Sequence, residues 1–165
     1  MSKTHQRPRA LARRAFTLLE AVVVIVVLAV SLPPTIMWLD RSAARQADAA
    51  SATRATFLAT AVLECIKADA SSTTPSLGFA ALANQDTYLN APAIGLNARM
   101  STQVQPMLDM GLYYQVSIGP LVNEAGVVDA SAIRNLFRTV TVTVTSPSAS
   151  GPDLVVDVSC VVAAP

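Results

Sequence analysis

The sequence predicts an α+β protein in which one long N-terminal helix packs on a C-terminal antiparallel sheet. Three observations predict it. Phe16 to Leu39 holds one charge, Glu20, in 24 residues. Thr35 to Asp69 is rich in Ala, with larger apolar groups at Phe57, Leu58, Val62, Cys65 and Ile66, whose spacings of three and four make one helical stripe. Phe137–Thr145 and Leu154–Val162 alternate apolar and polar residues, the period of a strand with one buried face.

Residues 1–15 are polar and basic. Lys3, Arg7, Arg9, Arg13 and Arg14 supply 5 of the 12 basic residues, and no acid precedes Glu20. From Phe16 onward 7 basic residues face 11 acidic ones, a balance of −4. The basic cluster therefore belongs to the N-terminus and not to the folded domain. Nucleic acid is not an expected partner, because Arg41, Arg45 and Arg54 are interrupted by Asp40 and Asp48.

The apolar run is about 36 Å long as a helix, enough to cross a hydrocarbon core. Its β-branched stretch from Val22 to Val27 is a poor helix in water, but lipid forces backbone groups to pair within the segment. Positive charge on its N-terminal side places that end in the cytoplasm and the bulk of the chain across the inner membrane. Trp38 stands at the far end, where an interfacial residue is expected. Pro33 and Pro34 should kink or break the helix. The expected domains are a leader over 1–15, a membrane helix over 16–39 and a periplasmic domain over 40–165. Within the last, an amphipathic helix covers 40–69, a variable loop region 70–110 and a sheet 111–163. A short helical turn is expected near Phe79 to Ala83, and a first strand over Leu112–Ile118.

Three readings compete for the N-terminus. A basic start and apolar core fit an ordinary secretory signal or single-pass anchor, with Ala29-Val30-Ser31 as a cleavage site. Arg13-Arg14 before Ala15-Phe16-Thr17-Leu18 fits a twin-arginine signal loosely. Both leave Glu20 without a role, although a carboxylate in an apolar span is costly and usually functional.

The third reading uses every residue. Arg13-Arg14-Ala15-Phe16-Thr17-Leu18-Leu19-Glu20 resembles the leader junction of type IV pilins and type II secretion pseudopilins, which reads Gly, then Phe-Thr-Leu-Ile-Glu. This resemblance implies cleavage by a prepilin peptidase between Ala15 and Phe16, N-methylation of Phe16, and assembly with other pilin or pseudopilin subunits on an inner-membrane platform. Ala15 replaces the usual Gly, which implies slower cleavage. Residues 13–40 carry the motif; the remainder agrees only in architecture, closest to a minor pseudopilin or minor pilin. Glu20 would neutralise the new amine of its own or a neighbouring chain, since neither charge is tolerable unpaired in lipid. The alternative is a membrane-tethered periplasmic binding module with an uncleaved anchor.

Cys65 and Cys160 both map to predicted core faces. A disulfide between them would close a loop of about 95 residues and add about 4–5 kcal/mol in the chain-entropy model; two buried thiols are the other reading. No metal or cofactor is expected, because two cysteines without a nearby histidine fall short of a ligand set. Asp86, Asp109, Glu124 and Asp129 match no calcium loop. The only histidine, His5, lies in the leader, and no Gly-rich phosphate loop occurs, so the chain is not expected to be an enzyme.

Overall fold

The computed structural model describes residues 17–164, with Ala132 described by its backbone alone. The chain divides after Ser42 into two compact units. Helix α1, Leu18–Ala70, contributes to both.

In the first unit α1 is preceded by Thr17, whose Oγ1 accepts the Glu20 N–H at 3.3 Å and whose carbonyl accepts the Ala21 N–H. A hydroxyl there satisfies one of the orphan donors of the first turn. The helix then runs unbroken through Pro33 and Pro34, so the expected break is corrected. Each proline removes one ladder bond. Hydroxyls on either side turn back onto the helix: Ser31 Oγ donates to the Leu28 carbonyl at 3.4 Å, and Thr35 Oγ1 to the Ser31 carbonyl at 2.8 Å. Neither bond reaches the Ala29 or Val30 carbonyl, the two that the prolines leave without a ladder donor.

In the second unit α1 buries Ala55, Leu58, Ala59, Val62, Leu63, Ile66 and Ala70. Phe57 does not belong to that stripe; it is 67% exposed, which corrects the sequence expectation. At 100° per residue it sits roughly opposite the middle of the buried arc.

Residues 79–109 are more ordered than the expected loop region. A 3-10 turn at Phe79–Ala83 is followed by α2, Gln85–Asn90, and α3, Leu96–Asp109. Asn84 caps α2 by accepting the Thr87 N–H at 3.2 Å. Gly95 opens α3 where a Cβ would come within 2.7 Å of backbone atoms of Leu89 and Ala91, so no larger residue fits without displacing the turn. Leu96, Met100 and Val104 form the buried face of α3.

Three antiparallel strands, β1 (Tyr113–Val122), β2 (Phe137–Ser146) and β3 (Leu154–Ala163), lie in the order β1-β2-β3. Val116 faces Val142, which faces Val158. Val140, Val142 and Val144 are fully buried in one core with Leu58, Val62 and Ile66 of α1. The outer face is mixed: Thr141 bonds Ser159 and Thr143 bonds Asp157 across the strands, while Val155 and Val161 stand exposed beside them. The hairpin of β2 and β3 thus forms as the alternation predicts. β1 extends past the expected Ile118 through an irregularity between Ile118 and Leu121. Pro120 is tolerated there because β1 is an edge strand. The free edge of β1 is partly closed by Gln85, whose amide donates to the Val116 carbonyl at 3.2 Å and accepts the Ile118 N–H at 2.9 Å.

Candidate functional site

The functional candidate is the apolar half of α1, taken by itself. Every large apolar side chain from Leu18 to Leu39 is between 43% and 84% exposed. A water-soluble helix does not show apolar groups on all sides. By length and composition the segment can cross a membrane. Glu20 is the only charge in it before Asp40.

Glu20 stands in the first turn of α1, three residues after Thr17. Thr17-Leu18-Leu19-Glu20 has the spacing of a capping box, and a carboxylate at that position opposes the positive end of the helix dipole. The sequence pattern of a hydroxyl residue, two spacers and an acid before an apolar run could have revealed this second role. By position alone a carboxylate here favours the start of α1 without a partner. Arg13, Arg14, Ala15 and Phe16, where leader topology, cleavage and methylation are expected, lie outside the described residues.

Cys65 and Cys160 are both half-buried free thiols. Burial pushes both thiols above their ordinary value of 9.0. Cys65 lies in the electrostatic reach of Asp69 and Arg99, and Cys160 in that of Lys67 and Glu64. Both thiols pack at the edge of one hydrophobic core, and neither is bonded to the other in this structure.

Two polar clamps of the second unit carry no sequence signal. At the end of α1, Asp69 is 7% exposed. Its carboxylate takes both Nη atoms of Arg99 and the Tyr88 hydroxyl, the last at 2.6 Å. Arg99 Nε also donates to the Ile94 carbonyl at 2.9 Å. This bidentate pair ties α1 to α2 and α3. Burial, with the bond to Asp69, pushes the Tyr88 hydroxyl far above the ordinary tyrosine range; the bond to Asp69 likewise raises Arg99. Farther back on α1, Asp48 accepts from the Ala149 N–H at 2.7 Å and from the Ser148 and Ser150 hydroxyls. These bonds, that to Ser150 foremost, hold its carboxyl below the ordinary 3.8. It fixes the turn between β2 and β3 to the helix.

Among the described residues no cluster of three or more His, Cys, Asp or Glu side chains gathers as a metal site. Both clamps are fully engaged in structure, which leaves the exposed apolar half of α1 as the feature without an internal purpose. No protein family, curated protein or solved structure matches the chain.

Proposed function

We propose that the chain is a structural subunit of a type IV pilus or type II secretion pseudopilus. It is made as a prepilin, cut between Ala15 and Phe16 by a prepilin peptidase, N-methylated on Phe16, and assembled through the apolar half of α1. It crosses the inner membrane once, with its C-terminal domain in the periplasm, before subunits join a filament on an inner-membrane platform. The observation that carries this reading is an apolar surface, exposed on all sides of α1 from Leu18 to Leu39 with a single acid, in a sequence that reads Phe-Thr-Leu-Leu-Glu at its start. The α+β fold, with α1 covering one face of a three-stranded antiparallel sheet, supports it.

Glu20 is where the reading is tested. Pairing with the amine of Phe16 needs a negative charge, whereas capping needs only an acceptor or a favourable dipole. Glu20→Gln should abolish recovery of the chain in a sheared filament fraction while leaving its helix content unchanged by circular dichroism. Filament incorporation of Glu20→Gln at the wild-type level would refute the assembly role and favour a single-pass tethered module, in which Glu20 serves only the helix end.

A further inference from the structure

Where the apolar run of α1 ends, three exposed side chains follow one another at helical spacing: Trp38, Arg41 and Arg45. Positions i, i+3 and i+7 share one face of a helix, so the indole and both guanidinium groups lie along one stripe. Two arginines one turn apart repel each other, and among the described residues neither forms an ion pair. Asp40 points about 100° away from Arg41 around the axis. Asp48 shares the arginine face, but its carboxylate is taken by Ser148, Ala149 and Ser150. The stripe is therefore cationic, with an amphipathic ring at its membrane end.

We infer that Trp38, Arg41 and Arg45 form a headgroup-binding stripe that takes the phosphate of an anionic phospholipid in the leaflet where the apolar half of α1 emerges. Charge complementarity selects the occupant. A planar guanidinium binds phosphate in a two-pronged fashion, and a phosphate between the two arginines removes their repulsion. Position selects the lipid as its source. Leu18 to Leu39 spans about 33 Å, which puts Trp38 at the interfacial layer and the arginines one and two turns beyond it, at headgroup depth. Such a contact fixes the depth and rotation of α1 in the bilayer before any assembly. It rests on the membrane placement of α1 proposed above and goes beyond it in naming the lipid.

Trp38 is the single tryptophan, so its fluorescence reports this site alone. The full chain is reconstituted in phosphatidylcholine vesicles containing phosphatidylglycerol. Bromine is placed high on the acyl chains of one lipid or the other at equal mole fraction. The inference expects brominated phosphatidylglycerol to quench Trp38 at least about twofold more than brominated phosphatidylcholine. It expects the ratio to fall to about one in R41Q/R45Q and to hold in R54Q, an exposed arginine farther along α1. Equal quenching by the two lipids in the wild-type chain would overturn the headgroup contact and leave the membrane placement standing. Quenching by neither lipid would overturn both. Loss of the preference on adding millimolar inorganic phosphate would assign the arginines to free phosphate and overturn the lipid.

Discussion

The two halves of α1 are one helix built for two solvents. From Leu18 to Leu39 its large apolar side chains, mostly valine, leucine and isoleucine with Met37 and Trp38 near the end, are exposed on every side. From Ala55 to Ala70 one arc is buried against the strands, and the other carries Thr56, Thr60, Glu64 and Lys67. Among the described residues none covers the surface of the first half. The second half has its cover in the strands. The difference teaches that exposure, more than hydrophobicity, marks where the protein must meet something else: Leu28 and Leu58 are the same residue type in the same helix, 48% and 4% exposed.

Breaking the buried half should cost most. Asp69→Ala leaves Arg99 half-buried without its carboxylate, and one-sided loss of a buried pair costs about 3–5 kcal/mol. Leu58→Ala opens a cavity in the core and should cost about 2–5 kcal/mol, while Leu28→Ala should change domain stability by less than about 0.5 kcal/mol. Thermal unfolding of the full chain in detergent, followed by near-ultraviolet circular dichroism, measures all three. Equal losses for Leu58→Ala and Leu28→Ala would erase the distinction between the halves. Phe57→Ala sharpens it further: an exposed ring on the outer arc should cost less than about 1 kcal/mol, where a core phenylalanine costs about 3–5 kcal/mol.

Titration gives the smaller effects. Tyr88, Cys65 and Cys160 have raised values in the folded chain. Their contribution is complete below the ordinary values of 9.0 and 10.0 and is lost as pH rises above them, so unfolding temperature should fall in that alkaline range. Asp48 has a lowered value, so its contribution is present above the ordinary 3.8 and is lost as pH falls below it. Asp48→Asn should remove that acid-side dependence and nothing on the alkaline side. A variant that keeps the acid slope would show that the turn between β2 and β3 is held by something other than Asp48.

Much of this was legible in the sequence, and the failures have particular causes. The alternation of Val140, Val142 and Val144 with threonines specified β2 because a strand's period is local. Phe57 was misplaced because it is apolar and adjacent to Leu58, yet adjacent residues on a helix lie 100° apart. In α3, Leu96, Met100 and Val104 do repeat at helical spacing, but Gly95 and Pro106 masked the signal. Pro33 and Pro34 did not stop α1, which continues to Ala70 although the Ala29 and Val30 carbonyls lose their ladder donors. The Asp69–Arg99 pair joins residues thirty positions apart, and no period in the sequence encodes such a meeting. At the proposed assembly site the Phe16-to-Glu20 segment was legible through its resemblance to pilin leader junctions, and the Thr17-x-x-Glu20 spacing already carried the capping pattern seen at the helix start.

The most direct test of the central claim is the intact mass and N-terminal residue of the chain after co-expression with a prepilin peptidase. The account predicts a mature chain that begins at N-methylated Phe16. A chain that keeps residues 1–15, or one cut after Ser31 instead, would contradict it and remove the amine that Glu20 is proposed to neutralise.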